Sequence, residues 1–104
     1  MNEKLIDIRS LISKMDLDNS GFLSFFDLKH FQAGILRLKP GERDTQEPHS
    51  LDEIYLVLEG DGFIEIGKKA YSIKKELFIF VPAEVKHSFY GNTKEIVVIY
   101  FFSD

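Results

Sequence analysis

From Phe31 onward the chain is a succession of short apolar runs: FQAGILRL at 31–38, EIYLVLEG at 53–60, FIEIGKK at 63–69, LFIFV at 77–81, HSFY at 87–90 and EIVVIYFF at 95–102. They are rich in β-branched and aromatic residues and are separated by Pro40-Gly41, Gly60-Asp61-Gly62, Pro82 and Gly91-Asn92. Runs this short, bounded by turn residues, read as strands rather than helices. Many short strands at regular intervals predict an all-β sandwich or barrel. One segment follows a different period. In NEKLIDIRSLISK, residues 2–14, Leu5, Ile8, Leu11 and Ile12 recur at helical spacing with charges between them, which predicts one amphipathic helix lying across the strands. The expected organisation is therefore a single domain, with an N-terminal helix and turn over 1–21 and a β-domain over 22–104.

With 104 residues, 44% of them hydrophobic and including ten Phe and four Tyr, the chain has the means to bury a core and does not read as disordered. The net charge of −4, with no Lys/Arg cluster, argues against a nucleic-acid partner. There is no Cys, which removes disulfides, thiolate metal sites and Cys nucleophiles and leaves any metal to nitrogen and oxygen ligands. No run reaches the roughly 18 apolar residues of a membrane span. The first residues also lack the apolar stretch of a secretory signal. The expectation is a cytoplasmic protein without a membrane partner, acting on a small molecule.

Glu47, His49 and Glu53 are spaced so that an extended strand would turn all three to one face. His87 stands behind the Pro82 turn on a later strand. Two imidazoles and one or two carboxylates form a ligand set that a divalent transition metal accepts while keeping positions open for a substrate. Glu47 is expected either as a fourth ligand or as the general acid or base. Tyr55, Phe80, Phe89 and Tyr100 are candidates for the pocket wall. The stretch Asp16, Asp18, Ser20, Gly21, Ser24 and Asp27 also matches the alternating oxygen pattern of a calcium loop, although it ends in Asp rather than the longer Glu. The reading adopted is a polar turn at Asp18-Asn19-Ser20-Gly21 joining the helix to the first strand. EIVVIYFF is apolar on both faces, which leads to the expectation of a homodimer formed through one sheet.

Residues 41–60 carry Gly41, five residues, Glu47-Pro48-His49, then Glu53, six residues and Gly60. Residues 76–92 place Pro82 and His87 in register with a second motif that ends near Asn92. This pattern resembles the two motifs of the cupin superfamily and is closest to the small single-domain cupins in which Gln-x-Pro-His precedes the Glu. Glu47 stands where the first His is usual, Glu76 and Glu84 replace two motif glycines, and Asn92 comes one residue late. The resemblance implies an all-β, cupin-like jelly-roll β-barrel with a short N-terminal helix. It also implies one divalent metal (Fe, Mn, Ni or Zn) held by His49, Glu53, His87 and Glu47. Such a site would serve dioxygenase-type or isomerase-type chemistry on a small polar organic molecule. The alternative is a non-enzymatic module that binds or senses a small ligand.

Overall fold

The computed structural model describes residues 3–103. One helix, α1 (Ile8–Asp18), precedes eight strands: β1 (Phe22–Asp27), β2 (Phe31–Leu38), β3 (Glu53–Glu59), β4 (Phe63–Ile66), β5 (Lys69–Ser72), β6 (Phe78–Val81), β7 (His87–Tyr90) and β8 (Ile96–Ser103). The strands form a five-stranded sheet in the order β1-β2-β8-β3-β6 and a three-stranded sheet in the order β5-β4-β7. All pairings are antiparallel. This is the expected all-β jelly-roll class.

The helix begins later than its periodicity suggests. The Asp7 carboxylate accepts the Ser10 N–H at 3.3 Å and caps the first turn, so Leu5 lies before the helix and is 92% exposed. Asn19, in the left-handed conformation, closes it. The C-terminal end is fixed by Arg37 of β2, whose guanidinium donates to the Ser20 carbonyl at 2.8 Å and pairs with Asp16. Asp16 and Asp18 are helical, Ser24 lies in a strand, and among the described residues Asp16, Asp18 and Asp27 form no converging acidic group, so Asn19-Ser20-Gly21 reads as the turn. The run at 63–69 is also not one strand. It breaks at Gly67-Lys68 into a hairpin whose second arm, β5, carries no alternating apolar face, because KAYS is exposed throughout.

Two apolar clusters result. Between the sheets lie Tyr55, Val57, Ile64, Ile79, Val81, Phe89, Val98 and Tyr100. On the opposite face of the large sheet, Ile35 and Val97 are sealed by Met15 of α1. The apolar outer side of β8 thus has cover within the chain near Val97, which weakens the reason for expecting a homodimer from that strand.

Glu76 and Glu84, the two residues standing where the motifs have glycine, have φ of 72° and 69°. The backbone keeps a conformation that favours glycine and carries a side chain there at a cost of about 1 kcal/mol each. Glu76→Gly and Glu84→Gly should each raise the unfolding free energy by up to about 1 kcal/mol in urea titrations; a loss at both positions would show that the side chains contribute more than the strain costs.

Candidate metal centre

Glu53 opens β3 on the large sheet and His87 opens β7 on the small one, and both side chains point into the gap between the sheets. Their inward facing follows from the register. Glu53 is opposite Val81 and Phe102, and two residues on, Tyr55 is opposite Ile79 and Tyr100. The carboxylate and the imidazole are 2% and 3% exposed, and Glu53 Oε1 is 3.1 Å from His87 Nε2.

His49 arrives from the loop between β2 and β3. Its backbone carbonyl accepts the Glu84 N–H at 2.6 Å, and Asp52 accepts the Ala83 N–H at 2.9 Å, so the turn joining β6 to β7 grips the His49 loop. The same turn orients the other imidazole. The Val85 carbonyl lies 3.0 Å from His87 Nδ1, an arrangement that puts the ring proton on Nδ1 and leaves the Nε2 lone pair facing the gap. His49 Nε2 is 3.7 Å from Glu53 Oε1. One donor atom from each of His49, Glu53 and His87 falls within 4.8 Å of the others.

Beneath this group runs a polar network. The Tyr55 hydroxyl, on a side chain with no exposed surface, donates to Gln46 Oε1 at 3.0 Å and lies 3.0 Å from His87 Nε2. Gln46 Nε2 donates to Asp44, which also accepts the Phe89 N–H at 2.8 Å. Burial, reinforced by the negative charge of Glu53, drives the Tyr55 pKa up, so the phenol stays a donor. Burial opposes the charged form of His87. The Glu53 carboxylate 3.1 Å away and the Val85 carbonyl outweigh it, helped by the charge of Asp44, and the pKa of His87 is raised.

Two atoms have no such support. Among the described residues, His49 Nε2 and Glu53 Oε1 are buried without a hydrogen-bond partner. Leaving a buried acceptor unmade costs on the order of 1–3 kcal/mol, and more for a charged group. An imidazole nitrogen able to offer a lone pair and a carboxylate oxygen turned toward each other are what a bound cation relieves, so the residues present fit a divalent ion held by two imidazoles and one carboxylate.

The structure does not bring every expected residue to this place. Glu47 is exposed and outside the group. The alternation argument needed an extended strand from 47 to 53, but β3 begins only at Glu53 and Pro48 sits in the irregular segment before it. Gln46 faces the site in its stead. Phe80 is 57% exposed on the outer face, because its neighbours Ile79 and Val81 take the inward positions of β6. Tyr55 and Phe89 are buried against each other with ring centroids 5.0 Å apart. Tyr100 lines a cavity of about 120 Å³ with Phe22, Leu36, Gln46, His49 and Glu53. It lies flat across β2 because Gly34 has no side chain, and a Cβ there would collide with its hydroxyl. The His49 side chain stands between this cavity and an outer one of about 160 Å³ that reaches Gln32 and Leu51.

Replacing Tyr55 with Phe keeps the packing but orphans Gln46 Oε1, so Tyr55→Phe should lower the unfolding free energy by about 1–3 kcal/mol in urea titrations. An unchanged midpoint would show that the hydroxyl is not a structural donor.

A model of the cupin domain matches residues 34–103. An uncharacterised protein of Streptomyces coelicolor is 27% identical over 100 residues, covering 96% of this chain and 95% of its own. Among solved structures, a cupin-2 domain protein of Shewanella frigidimarina superposes with a TM-score of 0.73 at 16% identity, over 96% of this chain and 95% of the other. The Cnp3 cupin domain of Schizosaccharomyces pombe does so with 0.72 at 18% identity, over 79% of this chain and 62% of the other.

Proposed function

This chain belongs to the cupin family, and we propose that it holds one divalent transition-metal ion on His49, Glu53 and His87 and uses it on a small polar molecule. The observation that carries the reading is the pair of orphaned atoms, His49 Nε2 and Glu53 Oε1, converging with His87 Nε2. A two-imidazole, one-carboxylate set suits Fe(II) well and also accepts Mn(II), Ni(II) or Zn(II). Such an ion, with adjacent positions open, supplies Lewis-acid polarisation of a chelating oxygen ligand and, if it is iron, access to dioxygen chemistry.

The chain's own residues define the rest. Glu53 contributes one negative charge. The Val85 carbonyl fixes the His87 tautomer. Tyr55 and Gln46 form a rigid floor beneath His87, with the phenol held neutral beside Glu53. Phe22, Leu36 and Tyr100 restrict the approach, and a cavity of about 120 Å³ admits a ligand of only a few non-hydrogen atoms. These features support dioxygenase-type or isomerase-type chemistry on a small oxygenated substrate. Glu47, exposed on the loop, is not positioned as its acid or base.

A second reading is a non-enzymatic module in which the same ion anchors a ligand for storage or sensing. The scarcity of proton-transfer groups near the three donor atoms favours it, since the buried Tyr55 phenol is the nearest neutral acid and is already engaged.

Elemental mass spectrometry of protein purified without chelators should find near one equivalent of a single transition metal, and none in a His49→Ala/His87→Ala variant. Absence of metal from the wild type even after anaerobic reconstitution would contradict the metal centre in both readings.

A further inference from the structure

The cavity beside the three donor atoms is walled by side chains of unequal freedom. Tyr100 is buried and Leu36 half-buried, both packed in the core between the sheets, whereas Phe22 is 61% exposed and belongs to neither apolar cluster. The backbone of Phe22 is nonetheless fixed. It stands opposite Leu36 in the pairing of β1 with β2, and the Gly21 carbonyl before it accepts the Arg37 N–H at 2.8 Å. Its ring stacks on Tyr100, with centroids 5.4 Å apart and planes 10° from parallel, and turns much of its surface to solvent. Phe22 is therefore a wall anchored at its base and free at its tip, standing at the mouth of the site. The space it leaves is about 120 Å³. That is below the roughly 150 Å³ of a cavity that accepts benzene, so ligand size is decided here. The outer cavity of about 160 Å³ shares only His49 and Phe102 with this one.

Charge narrows the ligand further. Among the described residues that line the two cavities, Glu53 carries the one formal charge and neither Lys nor Arg takes part. The basic residues on the flanking segments are committed elsewhere. Arg37 pairs with Asp16, and Lys39 donates to Asn19. Arg43 and Lys86 line a different cleft together with Asp44 and Glu47, and that cleft shares only Gln46 with the site. The pKa of Tyr100 is raised, chiefly by burial and further by the charges of Glu53 and Asp27, which marks the field at the mouth as negative. A divalent ion beside Glu53 leaves one positive charge, enough for a singly ionised chelator. A phosphate would bring charge that no cation in the walls receives, and an unpaired charge out of water is costly. We propose that the ligand of this site is a compact oxygen chelator without phosphate, and that Phe22 is the residue that sets its size. The inference rests on the divalent ion proposed for His49, Glu53 and His87.

Calorimetric titration of the zinc-loaded protein with hydroxamates that share one chelating group tests both halves of this inference. Acetohydroxamate should bind the wild type, and benzohydroxamate and phosphonoacetohydroxamate should bind it about tenfold or more weakly. Phe22→Ala should bring benzohydroxamate to within about threefold of acetohydroxamate, and Phe22→Leu should move it the same way by less. Phosphonoacetohydroxamate, of nearly the same size, should stay about tenfold weaker in both variants, which separates charge from size. Zinc content, measured on the same samples by elemental mass spectrometry, should stay near one equivalent throughout. A wild type that holds zinc but not acetohydroxamate, or that takes either larger probe as tightly, overturns this inference and leaves the metal centre standing. So do variants that hold zinc and still exclude benzohydroxamate, or that admit phosphonoacetohydroxamate equally, and so does loss of zinc from both variants, which would make Phe22 a support of the centre. A wild type that holds no zinc overturns both readings.

Discussion

The structure is organised around one buried carboxylate. Glu53 lies between two apolar sheets at 2% exposure, with Oε1 unbonded and His87 Nε2 its nearest ion-pair partner at 3.1 Å. Taking an ionised carboxylate out of water costs several kcal/mol unless compensating charge and hydrogen bonds are in place. The surrounding geometry serves that need. β7 places His87 across the gap, the long loop before β3 folds over to bring His49, and the turn after β6 clamps the loop by bonds to the backbone of His49 and the side chain of Asp52.

That arrangement explains why the polar network is so extensive in a small domain. Tyr55, Gln46 and Asp44 form a chain of hydrogen bonds that runs beneath the His87 imidazole to the backbone of β7, and the Val85 carbonyl holds the ring at Nδ1 and leaves Nε2 for the gap. Supports of this kind fix ligand orientation in metal sites. The apolar residues do the complementary work. Phe102 packs edge-on against His49 at 4.8 Å, and Phe22 stacks on Tyr100 at 5.4 Å, so the donor group is approached through narrow, aromatic-walled space.

Much of this was legible in the sequence, for identifiable reasons. Strands over 31–38 and 87–90 coincide with β2 and β7, and each run is closed by turn residues, Pro40-Gly41 after the first and Gly91-Asn92 after the second. Glu53 faces inward as alternation along EIYLVLE predicts, together with Tyr55 and Val57. Alternation failed where its premise failed. The segment before Glu53 is not a strand, so facing at 46–49 was set by loop hydrogen bonds between residues distant in sequence, and Gln46 rather than Glu47 turned inward. Phe80 shows the opposite limit. In FIFV every residue is apolar, so composition cannot tell the two faces apart, and only pairing with Ile54 reveals which is outward. The helix was displaced because its start was decided by the Asp7 cap rather than by the position of Leu5.

The central claim is that the converging atoms of His49, Glu53 and His87 are metal ligands, and the most direct test is X-ray absorption spectroscopy at the K-edge of the metal in the reconstituted protein, beside Glu53→Gln. The account predicts outer-shell scattering from two imidazoles in both proteins and, in the variant, a changed light-atom first shell with weaker metal retention. A spectrum of oxygen ligands alone, without imidazole scattering and unaltered by Glu53→Gln, would contradict it.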